Sequence, residues 1–279
     1  YGTRCSTSTI QAMAESLSRV SGVKAVVLGG SRAKGTHHAG SDVDLGLYYD
    51  RRLLDVEELR QLTVLFADAG PVNVSGPGSW GPWVDGGGWL TVDGTAVDWI
   101  LRDLDRVAQQ CRRAEAGEFA FHSQPGHPLG FLDVSYAGEL ATCLPLADPD
   151  RVLDPLRAAL TPYPPALRAS MIENLWQAGF YVDAARKGIP KLDVGYIALC
   201  CSTALMLCAH AWHASAGSWV TNEKGAIVDV QRLPTDSHDF AARAATALTR
   251  LSTDTPQLVA VVDSVDQLVA DTRTALHED

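Results

Sequence analysis

Residues 29–44 read Gly-Gly-Ser-Arg-Ala-Lys-Gly-Thr-His-His-Ala-Gly-Ser-Asp-Val-Asp, and this stretch decides how the rest of the chain is interpreted. It joins a glycine-rich, basic turn to two carboxylates, Asp42 and Asp44, that are separated by one residue. The preceding run from Lys24 to Leu28 is apolar and β-branched, which predicts a buried strand ending at the glycines. Glycines let the backbone approach a bulky anion because they carry no Cβ.

The turn itself supplies groups that suit a phosphate. Gly29 and Gly30 open the backbone, and Ser31 adds a hydroxyl together with N–H groups at a predicted helix start. Arg32 and Lys34 add positive charge and further donors. We therefore predict that these five residues bind the phosphates of a nucleotide.

A second strand is predicted from Ser41 to Tyr48, because apolar and polar residues alternate there. The alternation places Asp42 and Asp44 on one face, roughly 7 Å apart along the strand. Two carboxylates this close repel each other unless a cation is shared between them. Hard oxygen ligands beside a phosphate favour Mg²⁺, so we predict a magnesium site here.

A third carboxylate candidate, Asp98, lies on a predicted hairpin. The runs Trp89–Val92 and Thr95–Leu101 flank Asp93-Gly94, a dipeptide typical of type I′ turns. A carboxylate in the apolar second arm costs several kcal/mol unless it is paired, and a metal ion would supply the partner. A structural ion pair with an arginine such as Arg102 is the alternative, whereas Asp93 is explained by its place in the turn.

Together these residues resemble the signature of the DNA polymerase β-like nucleotidyltransferase superfamily: Gly-Gly-Ser, a basic turn, a Gly, then Asp-x-Asp on the next strand. The resemblance spans residues 10–110. It implies Mg²⁺-dependent transfer of NMP from an NTP, with ATP as the expected donor, to an acceptor hydroxyl, releasing pyrophosphate. Asp42, Asp44 and Asp98 would be the catalytic and metal-binding residues, and either Asp98 or Glu173 would be the general base.

The composition of the chain indicates which class of acceptor molecule is favoured. The 279 residues carry a net charge of −10, with a pI near 5.2 and no Lys/Arg run. Such a surface repels nucleic-acid backbones and favours a small cationic acceptor. The six cysteines show no zinc spacing and are predicted to be buried, reduced thiols. With no apolar leader-like run at the start, we expect a cytoplasmic protein.

The second half of the chain lacks strand signals. We predict an α+β fold: a small mixed nucleotidyltransferase sheet with flanking helices in residues 1–146, then an all-α helical bundle in residues 147–279 that binds the acceptor. Helices are expected at 150–160, 165–187, 192–216 and 238–273, the last broken near Pro256. An uncharged run from Val194 to Asn222 is long enough to span a bilayer, but its polar residues favour a central bundle helix and no membrane contact.

This layout, catalytic half first and helical half second, resembles the aminoglycoside and lincosamide (antibiotic) nucleotidyltransferases. The resemblance implies a role in antibiotic resistance. It also offers Lys224 from the helical half as a cation that reaches the triphosphate, and the alternative is a solvated lysine in a turn. A protein-modifying nucleotidyltransferase that transfers AMP to a toxin or other protein remains the alternative, as does transfer to RNA. A monomer and a homodimer both remain open. His210 and His213 are predicted to be core histidines, and residues 75–88 either a packed loop or a lid.

Overall fold

The computed structural model describes residues 5–38 and 40–277. The chain divides into two compact units, one comprising residues up to 113 together with 120–161, the other 114–119 together with 162 onward. The sequence-based boundary between residues 146 and 147 falls inside the first unit. The division of labour between a catalytic and an acceptor-binding domain remains a prediction.

The first unit is built on a five-stranded mixed sheet in the order β3-β4-β2-β1-β7. Its elements are α1 (Thr7–Leu17), β1 (Val23–Leu28), α2 (Gly30–Ala33), β2 (Val43–Tyr49), α3 (Val56–Phe66), β3 (Gly87–Val92), β4 (Thr95–Asp103), α4 (Leu104–Glu115), β5 (Phe121–Gln124), β6 (His127–Leu132), α5 (Ser135–Thr142), β7 (Leu144–Ala147) and α6 (Asp154–Ala158). Strands β2 and β4 are parallel, the other pairs in this sheet are antiparallel, and β5 and β6 form a separate ladder. The predicted α+β class is confirmed.

One face of the sheet carries the core of this unit. Val43, Leu45 and Leu47 alternate along β2, and all three are fully buried with residues of α1 and α3. Trp99 on β4 shares this face, and its indole N–H donates to the Met13 sulfur of α1 at 3.1 Å. Because side chains alternate along a strand, the intervening residues of β2 and β4 point to the opposite face.

The predicted hairpin is present as β3 and β4. Asp93 and Gly94 both have positive φ angles, 49° and 69°, which is the backbone of a type I′ turn. This turn pairs Val92 with Thr95 and, three residues further along each arm, Trp89 with Asp98.

Strand β7 was not predicted, because residues 144–147 were interpreted as an interdomain linker. Leu144 and Pro145 instead pair with Leu28 and Val27 of β1. Proline is tolerated there because β7 is an edge strand, where one side of the backbone needs no ladder partner. The sequence pattern of a short, proline-containing edge strand is hard to tell from that of a linker.

The second unit is helical. Its main helices are α7 (Pro165–Glu173), α8 (Trp176–Gly188), α9 (Val194–Ser215), α10 (Ala226–Asp229), α11 (Phe240–Thr249) and α12 (Thr255–His277). The single helix predicted over 165–187 is two helices, because the chain tightens at their junction: Asn174 N–H bonds the Ser170 carbonyl, but Leu175 N–H bonds the Ile172 carbonyl only three residues back. The break predicted near Pro256 is confirmed, since Pro256 lies in the first turn of α12.

Helix α9 is the core helix of the second unit, and it packs against α7, α8 and α12. Within the described residues it is the one helix long and apolar enough to cross a membrane by length and composition. Thirteen of its residues, among them Cys208, His210 and His213, are nevertheless buried inside the protein. His213 is hydrogen-bonded, with Nε2 2.9 Å from the Ala226 carbonyl, and burial lowers the pKa of His210 to about 3.

All six cysteines are buried and none is disulfide-bonded, as predicted. Burial raises the pKa of the Cys143, Cys201 and Cys208 thiols to about 11, 11 and 12, respectively. These thiols therefore stay protonated near neutral pH, which suits an inert packing role.

Candidate active site

Two of the three predicted catalytic carboxylates lie side by side. Asp44 on β2 and Asp98 on β4 are register partners on adjacent parallel strands, which are separated by about 4.8 Å. Both occupy the sheet face opposite the core, and both are half-buried. Strand β2 begins at Val43 rather than Ser41, so Asp42 directly precedes the strand and is exposed.

The Asp98 carboxylate has a perturbed proton affinity. Burial first, and then the charges of Asp44 and Asp42, raise its pKa to about 6. Asp42 is thus close enough to Asp98 for its charge to act there. The three carboxylates concentrate negative charge at one point of the sheet, which is the electrostatic condition for binding a cation.

The alternative explanation for Asp98, an ion pair with Arg102, is wrong. The Arg102 guanidinium instead binds both carboxylate oxygens of Glu139 on α5, with Nη2 2.8 Å from Oε1. Arg102 also lies over the Tyr136 ring, 5.2 Å from its centroid. Within the described part of the chain, the groups that shift the pKa of Asp98 include no cation.

The glycine turn closes directly over Asp44. The Gly29 N–H donates to the Asp44 carbonyl at 2.8 Å. Gly30 has a φ of 59°, and a Cβ added there would collide with the Asp44 carboxylate. Glycine at this position is therefore required both by the backbone conformation and by the close approach of turn and carboxylate.

The basic residues of the turn have different surroundings. Arg32 donates from Nε to the Asp42 carbonyl and from Nη2 to the Ser41 carbonyl, each at 2.9 Å. Its guanidinium thereby holds the backbone that carries Asp42. Ser31 and Lys34 lie in the same turn as Arg32, Ser31 within the single turn of α2 and Lys34 at its end. The phosphate-binding role of Gly29, Gly30, Ser31, Arg32 and Lys34 remains a prediction.

The described residues contain no ready-made group of three or more His, Cys, Asp or Glu side chains that would hold a metal by themselves. This arrangement still fits Mg²⁺, which is bound by one or two carboxylates plus substrate phosphates rather than by an all-protein cage. Asp44 and Asp98, the half-buried neighbours, are the residues that would hold it, with Asp42 beside them.

Comparison with known proteins agrees with this geometry. Residues 10–68 match the family model described as "Nucleotidyltransferase domain". Over this segment the chain is similar to a nucleotidyltransferase domain. Such a domain, which belongs to the polymerase β-like superfamily, indicates an enzyme that uses an NTP. The match runs from within α1 to just past α3 and includes the glycine turn, Asp42 and Asp44, whereas Asp98 lies beyond it.

Other comparisons add little to the nucleotidyltransferase match. A crystal structure of a nucleotidyltransferase-like protein from Exiguobacterium sibiricum 255-15 aligns with a TM-score of 0.45 and 9% identity, over 94% of this chain and 74% of that one. A likeness this weak supports no argument about fold or function. No curated protein matches the sequence significantly.

Two predicted contributors to the nucleotidyltransferase reaction lie in the second unit. Lys224 is exposed, and its backbone N–H donates to the Asn222 side chain at 2.8 Å. Glu173 is exposed at the end of α7. The contact of Lys224 with the triphosphate and the role of Glu173 as a general base remain predictions.

Residues 75–88 form a loop that packs against β2 and β5. The buried Gln124 side chain donates to the Trp80 carbonyl at 2.8 Å and accepts from the Trp83 N–H at 3.2 Å. Buried Asp85 accepts from the Tyr49 hydroxyl at 2.7 Å. Two of these bonds hold the backbone of the loop and the third holds its Asp85 side chain, which agrees with the packed-loop alternative rather than the lid.

Sequence reasoning missed a pair of aromatic side chains next to Asp98. The Trp80 and Trp89 rings stack with centroids 4.3 Å apart and planes 6° from parallel. Trp89 is the cross-strand partner of Asp98. The signal was available, since a type I′ turn at Asp93-Gly94 fixes the register that pairs these two residues.

Proposed function

We propose that this protein is a cytoplasmic, Mg²⁺-dependent nucleotidyltransferase that transfers NMP from an NTP, with ATP as the expected donor, to a hydroxyl group of a small-molecule acceptor. The observation that carries this proposal is the juxtaposition of Asp44 and Asp98 on parallel strands, with the Gly29-Gly30 turn closed over Asp44. A triphosphate and a divalent cation need such neighbouring donors and acceptors.

The chain's own residues would act mainly by positioning the donor. N–H groups at the start of α2 lack acceptors within the helix, so with the Ser31 hydroxyl they can hold the β- and γ-phosphates. Lys34 and Lys224 would add positive charge at that end. Arg32 would hold Asp42 in place through the backbone of Ser41 and Asp42. This positioning lowers the entropic part of the barrier.

The carboxylates would act at the α-phosphate. Asp42, Asp44 and Asp98 would hold Mg²⁺ ions, each ion through one or two of these carboxylates, and the ions would neutralise phosphate charge and lower the pKa of the acceptor hydroxyl. The acceptor hydroxyl would give up its proton to Asp98 or to Glu173 as a general base. The hydroxyl oxygen would attack the α-phosphorus as the bond to pyrophosphate breaks, so the NMP moves to the acceptor.

The acidic composition supports a small cationic acceptor. A net charge of −10 attracts amines and repels phosphate backbones. We therefore place an aminoglycoside-like antibiotic first among acceptors, which would make the enzyme a resistance factor. Transfer of AMP to a toxin or other protein is the alternative, and transfer to RNA is the least favoured by charge.

The test is incubation with each α-labelled NTP and Mg²⁺ against aminoglycosides, lincosamides, cell protein and tRNA in parallel. A labelled small molecule is expected. Asp44→Asn should lower transfer by at least about 10³-fold while leaving the folded state intact, because it removes charge stabilisation at the reacting phosphate. Asp105→Asn, an exposed acid beyond β4, is the matched control and should keep full activity. Undiminished transfer by Asp44→Asn would overturn the proposal, and a labelled protein or tRNA would reassign the acceptor.

A further inference from the structure

The residues of the site lie on, or directly after, four neighbouring strands of the sheet, in the order β1, β2, β4 and β3. The Gly29-Gly30 turn follows β1 and bonds to Asp44 on β2, Asp44 is the register partner of Asp98 on β4, and Asp98 is the register partner of Trp89 on β3. Directly opposed residues on neighbouring strands point to the same face. Asp44, Asp98 and Trp89 therefore form a row that begins at the phosphate-binding turn.

This order assigns a side to each reactant, provided that the proposed nucleotidyl transfer is correct. The β- and γ-phosphates lie at the glycine turn, so the leaving pyrophosphate points toward β1. In an in-line displacement, the attacking oxygen lies opposite the leaving oxygen. The acceptor hydroxyl therefore approaches from the β4 and β3 side, where Trp89 is the residue beyond Asp98.

The Trp89 side chain has the properties of a preformed binding platform. It stacks on Trp80 in an almost parallel arrangement, and yet 64% of its surface is exposed. Trp80 is held in turn by the bond from the buried Gln124 side chain to its carbonyl. Gly81, next to Trp80, has a φ of 122° and abuts the Gln124 amide, which fixes this backbone further. A large exposed ring held this firmly loses little entropy on binding a ligand.

We propose that Trp89, supported by Trp80, is the acceptor-binding platform of this enzyme and that it stacks against an amine-bearing, sugar-like ring. The face of an indole is electron-rich, so it attracts C–H groups and ammonium groups but does not attract an anion. The chain's net charge of −10 favours the same cationic ligand. Trp89 is thus a specificity-determining residue for the acceptor and not for the nucleotide.

The experiment measures binding of kanamycin, a polyamine sugar, to the full chain by calorimetry in the presence of Mg²⁺ and a non-hydrolysable ATP analogue. Trp89→Ala should weaken kanamycin binding by about tenfold, since it removes the stacking face. Trp89→Phe, which keeps a smaller ring, should lose about threefold. Thr91→Ala is the matched control, because Thr91 is exposed on the same face of β3 one row further from Asp98. It should bind kanamycin like the wild type.

Affinity for the ATP analogue is measured in the same four proteins and should be unchanged. Circular dichroism and urea unfolding check that the variants fold, which is expected because Trp89 is exposed. The proposal is overturned if the wild type does not bind kanamycin, if Trp89→Ala binds it as well as the wild type, or if Trp89→Ala loses the nucleotide analogue instead.

Failure of the platform and failure of the proposed function give different results. If the wild type transfers nucleotide and Asp44→Asn does not, but Trp89→Ala keeps the wild-type acceptor KM, only the platform is wrong. If Asp44→Asn transfers as fast as the wild type, the nucleotidyl-transfer assignment fails whatever Trp89 does.

Discussion

At the scale of single residues, Gly30 carries the tightest constraint in the site. Its φ of 59° lies in the left-handed region, and its α-carbon faces the Asp44 carboxylate at a distance that leaves no room for a Cβ. Gly35, five residues later, also has a positive φ of 68°, but an added Cβ there meets nothing within 4 Å. A substitution at either glycine would strain the backbone, but only a substitution at Gly30 would also displace the Asp44 carboxylate.

We predict that Gly30→Ala and Gly35→Ala each lower the free energy of unfolding by about 1 kcal/mol, because each places a side chain at positive φ. Only Gly30→Ala should lose activity, by about 100-fold, because its methyl group displaces Asp44. Urea unfolding and nucleotide-transfer rates of the two variants check this. Equal losses of activity in both variants would show that the turn backbone, not Asp44, is what the glycine protects.

Asp98 illustrates a conflict between function and stability. Its pKa in the folded protein, about 6, lies above the value near 3.9 expected in the unfolded chain. A raised carboxyl pKa favours the folded state fully only below about pH 4, and that contribution is lost as the pH rises through about 6. Without a divalent cation, the ionised Asp98 therefore destabilises the fold at neutral pH.

We predict that Asp98→Asn stabilises the metal-free protein by about 1–2 kcal/mol at pH 7.5, and that this gain disappears near pH 4. The full shift would give about 3 kcal/mol, and the smaller figure allows for screening of a half-buried group by solvent. Urea unfolding in EDTA at both pH values tests it. Asp105→Asn, an exposed acid just beyond the same strand, should show no such gain. A destabilised Asp98→Asn would mean that the carboxylate has a stabilising partner.

At the scale of elements, the sequence predicted what local chemistry dictates. The glycine turn, the strand carrying Asp44 and the Asp93-Gly94 hairpin each follow from residues adjacent in the chain, and each is present. The hairpin also contained unused information, since its turn type fixes the pairing of Trp89 with Asp98. The pairing of Trp89 with Asp98 could therefore have been predicted from the sequence.

Elements that depend on distant partners were not predictable in the same way. Strand β7 is a strand because β1 lies beside it, although the two are separated by more than 110 residues in the chain. The sequence allowed an ion pair between Arg102 and Asp98, but in the structure Arg102 binds Glu139, which lies on α5. The junction of α7 and α8 is a short stretch of three-residue hydrogen bonds, and no glycine or proline in the sequence marks it. In each case tertiary contacts override a weak local preference.

At the scale of the whole molecule, charge is the property that discriminates between reactants. The acceptor that we propose is a cation and the Mg²⁺-bound nucleotide is an anion, whereas the chain carries −10. Long-range attraction therefore assists the acceptor and opposes the nucleotide, which relies on local contacts at the glycine turn. Salt screens both effects, since the Debye length falls from about 10 Å at 0.1 M to about 3 Å at 1 M.

We predict that the KM for kanamycin rises about threefold or more when potassium chloride is raised from about 50 mM to about 500 mM, because screening removes the attraction of the acidic surface for a polyamine. The KM for the Mg²⁺-bound NTP should stay constant or fall, since the same salt relieves its repulsion. Steady-state kinetics with each substrate varied in turn separates the two, and sodium chloride in place of potassium chloride controls for specific ion effects. If both KM values rise together, the salt acts on the local phosphate contacts or on the fold. If neither changes, the net charge has no part in selecting the acceptor, and recognition rests on short-range contacts such as the Trp89 stack.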